Sequence, residues 1–219
     1  MDVIPVVLEG RHVRLEPLEM SHHAALCEVG LDAELWRWTL SSCTRPEELR
    51  RYLETALRER DQGRSLPFAT VERASGTAIG STRFGNLEPA HRRVEIGWTW
   101  IGRAYQRTAV NTEAKYLMLR HAFETWGCVR VELKTNTLNE RSRAAIRRIG
   151  AKEEGVLRKF GINEHGVARD TVYYSILDDE WPGVRARFEA MLAAPRAQLP
   201  GPRRPRAGGP VAHRGRGPA

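Results

Sequence analysis

The sequence predicts an α/β chain: one mixed sheet with antiparallel N-terminal strands, a single parallel pair further on, and helices on both faces. Three observations lead there. Early apolar stretches are joined by tight turns, which serve antiparallel neighbours. Two alternating stretches, 94–101 and 129–135, are separated by a full helical pattern, which fits a right-handed parallel crossover. The 219 residues suffice for one sizeable core, and no internal repeat divides them.

Each element follows from its residues. Val6-Val7-Leu8 and Val13-Arg14-Leu15 flank Glu9-Gly10 and read as an opening hairpin. Ser21 is placed to cap a helix running through Val29. Thr44-Arg45-Pro46-Glu47 has capping-box spacing with proline in the first turn, and Leu49, Leu53, Ala56 and Leu57 follow at helical spacing until Gly63. Phe68–Val71 and Ala78–Phe84 read as strands around a Ser75-Gly76 turn. Val94, Ile96, Trp98 and Trp100 alternate, so that strand hides them on one face and carries Glu95, Gly97 and Thr99 on the other. From about Thr112 to Thr125 the pattern is helical and apolar nearly all round, hence deeply buried. Val129, Val131 and Leu133 alternate in the next strand. Asn139 is placed to cap a helix with Ala145, Ile146 and Ile149 inside and Gly150 as its stop. Gly155–Phe160 and Arg169–Leu177 form a closing strand pair. Asp179 or Glu180, ahead of Trp181-Pro182, opens a last helix carrying Val184, Phe188 and Leu192.

The net charge of +8 suggests a polyanion partner until it is located. Residues 193–219 hold six arginines and no acid, so the 35 basic residues fall to 29 against 27 acidic ones in the body. That segment also holds half of the twelve prolines and few large apolar residues, so a disordered Arg/Pro/Gly-rich tail is expected there, beyond a folded domain at 1–192. Nucleic acid is not expected as a partner except through the tail. No apolar run is long enough for a membrane span, and Met1–Pro5 lacks the pattern of a signal peptide. Three cysteines without metal spacing (Cys27, Cys43, Cys128) read as reduced thiols in a cytoplasmic protein. His22, His23 and His91 likewise have no metal-type spacing and read as surface residues; no metal is expected.

The chemistry concentrates in residues 95–115. A strand carrying Glu95 feeds a short turn and then a helix. The first amides of a helix have no internal partners and sit at the positive end of its dipole, so the turn is a site for an anion. An anion cradle beside a carboxylate points to a phosphate-bearing cofactor next to a general base. Glu95 has two readings here: base, or ion-pair partner of an arginine such as Arg93.

Three segments in this order carry a family resemblance: Glu95-Ile96-Gly97-Trp98, then Gln106-Arg107-Thr108-Ala109-Val110-Asn111-Thr112-Glu113-Ala114, then Asn139-Glu140-Arg141-Ser142 with Gly150 eleven residues after Asn139. Over roughly residues 6–192 the chain resembles the GNAT-type acyl-CoA N-acyltransferases, and within them the RimJ/RimL-like branch. The resemblance implies an acetyl-CoA-dependent N-acetyltransferase acting by direct transfer to an amine: a protein N-terminus, a small amine or an amino-sugar drug. It implies Glu95 as base, Ser142 as the group facing the departing sulfur, and the amides from Arg107 through Thr108, Ala109, Val110 and Asn111 to Thr112 as the diphosphate cradle. Gln106 matches the start of the family's loop, while Ala109 and Asn111 stand at its two glycine positions. Asn139, with the backbone of Trp100 and Ile101, would hold the pantetheine arm where the parallel strands splay. Trp36, Trp38 and Trp98 would wall the acceptor pocket, with core packing as their other reading. Ile146 stands where many members place a tyrosine. Two further readings remain: a CoA-holding module without turnover, and a ribosome- or RNA-associated protein using its tail. Monomer and homodimer are both open.

Overall fold

The computed structural model describes residues 1–194, so the tail expected over 193–219 lies outside the described residues from position 195 on. Eight strands form one sheet. In chain order they are β1 (Leu8–Glu9), β2 (Val13–Pro17), β3 (Ser65–Glu72), β4 (Ala78–Glu88), β5 (Arg93–Ile101), β6 (Arg130–Asn136), β7 (Lys152–Ile162) and β8 (Ala168–Leu177). They lie in the order β1-β2-β3-β4-β5-β6-β8-β7. Every neighbouring pair is antiparallel except β5 and β6. The helices are α1 (His23–Gly30), α2 (Ala33–Trp36), α3 (Pro46–Asp61), α4 (Ala109–Arg120), α5 (Glu140–Arg148) and α6 (Trp181–Ala193).

Two cores result. In one, α4 and α6 lie against Val94, Ile96, Val131, Leu133 and Ile176 of the strands. In the other, α1 and α3 pack Leu26, Leu49 and Leu53 with Ala69, Val71 and Trp100. The sheet is therefore covered on both faces, which explains why its central strands are buried nearly throughout.

The parallel pair is short. Only Arg93, Val94 and Glu95 of β5 align with Arg130, Val131 and Glu132 of β6. Beyond that point β5 continues to Ile101 and β6 to Asn136 without pairing each other, and a fork opens between them. Glu95 sits at its base.

Four local expectations need correction. Ser21 caps nothing: a 3-10 turn spans Met20–His22, and the imidazole of His22 accepts the Glu19 amide instead. The capping box at α3 sits one residue later than the spacing suggests. Pro46 occupies the first helical position, so Glu48, not Glu47, is the third, and its carboxylate accepts the amides of Thr44 and Arg45. The helix expected from about Thr112 begins at Ala109 and ends in a π turn at His121–Thr125.

The fourth concerns β5. Gly97 lies opposite Arg83 but Trp100 opposite Ser81, so β5 carries one extra residue, a bulge, at Trp98 (φ +49°). The alternation changes phase there. Thr99 and Ile101 join Val94 and Ile96 on the α4 face, while Trp100 faces the α1/α3 core. Thr99 is thus not on the face of Glu95.

Candidate functional site

Glu95 is 1% exposed, yet it is a carboxylate, so it needs partners. Lys134 of β6 supplies one, with Nζ 2.8 Å from Oε2. Asn86, held at φ +47° in the irregular stretch of β4 after Gly85, donates Nδ2 to the same oxygen at 2.6 Å. The anticipated partner Arg93 turns elsewhere, to Glu132 at 3.1 Å and Glu88 at 3.8 Å. Burial pushes the Glu95 pKa above the ordinary carboxylate value, and Lys134 and Asn86 pull against that rise. A group so placed takes a proton more readily than an exposed glutamate does. Gly97 makes room for it: a Cβ there would lie 2.8 Å from Glu95 Oε1.

The bulge turns Trp98 outward, leaving its side of the ring over Gly85 and the residue 38% exposed. The Arg83 guanidinium stands 5.1 Å from its centroid and 5.2 Å from that of Tyr52. Arg83 is itself buried and pairs with Glu59 at 2.7 Å. Trp98, Arg83, Tyr52, Glu59, Glu48 and Glu164 line a cleft of about 610 Å³. Trp36 and Trp38 do not line it. Trp36 is buried behind it, between Tyr52 and Trp100, and its indole N–H reaches the Gly30 carbonyl at 2.7 Å. The ring of Trp38 lies under Arg37, and its carbonyl accepts from Arg169. Core packing, the alternative fate for these aromatics, applies to Trp36.

The turn ahead of α4 is built differently from a glycine loop. Only Arg107 takes a left-handed backbone (φ +64°); Ala109 and Asn111 keep ordinary helical conformations, so no glycine is required at either. Thr108 is the cap. Its hydroxyl donates to the Tyr105 carbonyl at 2.7 Å and accepts the Val110 amide at 3.3 Å. The amides of Ala109 and Asn111 remain without intrahelical partners at the dipole's positive end. Gln106 acts as a strap. It donates to the Ile101 carbonyl at 2.9 Å and accepts from Arg141 of α5. Thr112 is buried and its hydroxyl is held by Arg148 at 2.9 Å, so its side chain serves the helix pair rather than the cradle. Trp100 buries its ring in the second core; its backbone and that of Ile101 lie on the stretch of β5 that β6 leaves unpaired. Orphan amides with Arg107 and Arg141 at the same edge suit a diphosphate in charge and in donor supply.

Across the fork, Asn139 caps α5 by accepting the Ser142 amide at 3.1 Å. Ser142 is the third residue of that helix, partly exposed, and its position is fixed by this cap.

Two buried groups escaped the sequence reading. Lys115 of α4 donates to Thr99 Oγ1 at 2.6 Å and Thr82 Oγ1 at 3.4 Å, beneath the bulge. Full burial lowers its pKa to about 7, with Glu95 pulling the other way. Glu113 accepts the amides of Arg11, His12 and Val13 at 2.8, 2.6 and 2.9 Å, tying the first hairpin turn to α4.

The family model described as an acetyltransferase (GNAT) domain matches residues 12–152. The chain is 37% identical over 108 residues to the protein named "Putative ribosomal N-acetyltransferase YdaF" of Bacillus subtilis (strain 168), covering 49% of this chain and 58% of that relative's length. Among solved structures, a GCN5-related N-acetyltransferase from Brucella melitensis matches with a TM-score of 0.81 at 31% identity, over 87% of each chain. Mycobacterium smegmatis RimJ in complex with CoA-disulfide matches with a TM-score of 0.71 at 26% identity, over 84% of this chain and 91% of that one. Among the described residues no helix is long and apolar enough to cross a membrane, and no cluster of His, Cys, Asp or Glu has metal-site geometry.

Proposed function

Because the chain belongs to the acetyltransferase (GNAT) family, we propose that it transfers an acetyl group from acetyl-CoA to an amine, directly and without an acyl-enzyme. The observation that carries this is a buried carboxylate, Glu95, at the base of a fork whose rim holds unpaired helix-start amides. Attack on a thioester needs an amine stripped of its proton, since an ammonium has no lone pair. Glu95 takes that proton, and its raised affinity for one suits the task. The amides of Ala109 and Asn111, with Arg107 and Arg141, hold the diphosphate. The open edge of β5 near Trp100 orients the arm, and Asn139 and Ser142 stand across from it. Ser142 donates to the departing sulfur. The cleft beside Trp98 and Arg83 admits the acceptor.

A protein N-terminal amine is the proposed acceptor, in a cytoplasmic setting; likeness to a protein named as a ribosomal N-acetyltransferase and to RimJ supports it. The Lys134–Glu95 ion pair favours one other reading, a module that holds CoA without turnover, because it occupies the base. Calorimetric titration with acetyl-CoA, then a panel of amines scored for thiol release, decides between them. Binding with release supports the enzyme; binding without release across the panel leaves the module; no binding removes both.

A further inference from the structure

Lys134 stands two residues past the last residue of β6 that pairs with β5, inside the fork. Its ammonium contacts the carboxylate assigned as base, at 2.8 Å. Three rings steady it there: Phe160 at 5.2 Å, Tyr173 at 5.6 Å and Trp98 at 5.7 Å from Nζ. This is the geometry that an acceptor ammonium would have to adopt before losing its proton: a primary amine on an alkyl stem, touching Glu95, at the mouth of the acyl site. The chain also contains only four lysines, Lys115, Lys134, Lys152 and Lys159. Lys115 is buried on the α4 face, Lys152 is engaged with Glu180 on the surface at 2.5 Å, and Lys159 is exposed. One of the four is therefore set apart by its place beside a base.

We infer that Lys134 is a self-acetylation site: the chain transfers an acetyl group from acetyl-CoA to its own Lys134 Nζ. The inference rests on the function proposed above. The balance is that of ordinary acyl transfer. Of the three ammonium protons, one passes to Glu95 and on to solvent, one goes to the departing sulfur and one stays on the new amide. The N–C bond forms as the C–S bond breaks, its electron pair leaving on sulfur, and nothing is oxidised or reduced. The product amide carries no charge, so Glu95 keeps Asn86 as a donor and loses its cation. A modification at this position thus resets the electrostatics of the base.

The test incubates the full chain with acetyl-CoA and no acceptor, then digests it and follows the four lysine peptides by mass spectrometry over time. Lys134 is expected to gain one acetyl group ahead of Lys152 and Lys159. The fraction labelled per unit time should not depend on protein concentration, because the reaction is within one molecule. Glu95→Gln should slow the labelling roughly 100-fold or more. The inference is overturned if Lys134 stays unmodified while the same preparation binds acetyl-CoA and acetylates an added amine. It is equally overturned if Lys134 labels no faster than the exposed lysines, or at a rate unchanged by Glu95→Gln. A preparation that neither binds acetyl-CoA nor releases thiol with any amine refutes the proposed function itself, and this inference with it.

Discussion

Replacing Lys115 by methionine tests whether the bulge in β5 rests on a desolvated amine. The side chain is only 8% exposed, and its pKa falls from an ordinary 10.5 to about 7. Below about pH 7 the folded and unfolded amines are both protonated, and the folded chain carries the full cost of an ammonium without water. Between about 7 and 10.5 the folded chain binds fewer protons than the unfolded one, so stability rises with pH. Each pH unit in that window is worth ~1.4 kcal/mol for one such group. From pH 7 to pH 9 Lys115 therefore adds about 2 kcal/mol, allowing for partial protonation at the lower end. Methionine has similar length and no charge. Lys115→Met loses the contacts to the Thr99 and Thr82 hydroxyls, but that loss does not vary with pH. Urea unfolding of both chains at the two pH values, at fixed ionic strength, isolates the effect. The gain in stability from pH 7 to pH 9 should be larger in the wild type by about 2 kcal/mol. Equal pH dependence in the two chains would refute the argument, whatever their absolute stabilities.

Other substitutions address the site and its frame. Glu95→Gln should lower kcat roughly 100- to 10,000-fold while the calorimetric affinity for acetyl-CoA stays within about twofold. The acid limb of the wild-type pH–rate profile should lie above the ordinary glutamate value and vanish in that variant. Gly97→Ala places a methyl 2.8 Å from Glu95 Oε1, so turnover should fall by about tenfold or more at nearly unchanged melting temperature. Glu113→Ala leaves three hairpin amides without their acceptor, and chemical denaturation should show a loss of about 3 kcal/mol.

What the sequence revealed depended on how far apart the interacting residues lie. Alternation, caps and glycine stops are local, so strand and helix order followed from them, including the Asn139 cap and the Gly150 stop at φ +103°. The bulge at Trp98 was not legible, because it arises from how β5 pairs with β4, and alternation alone cannot register an extra residue. Glu95 could be singled out from its place ahead of the anion turn. Its partner could not, because Lys134 lies on the next strand and meets Glu95 only through the register of the parallel pair. Trp36 and Trp98 share a residue type, yet one is buried behind the cleft and the other lines it, a difference set by packing against α3. Thr108 caps α4, because the left-handed turn at Arg107 starts the helix sooner than apolar spacing implied.

The grip of Glu113 on residues 11–13 also bears on how the chain can be handled. A truncation or fusion that disturbs that opening bend strands a carboxylate inside the protein, on the same helix whose first turn carries the amides proposed above as the diphosphate cradle. Helix α4 is thereby joined to a segment about a hundred positions upstream. During synthesis, the leading hairpin must wait for this glutamate to emerge before its amides find their acceptor.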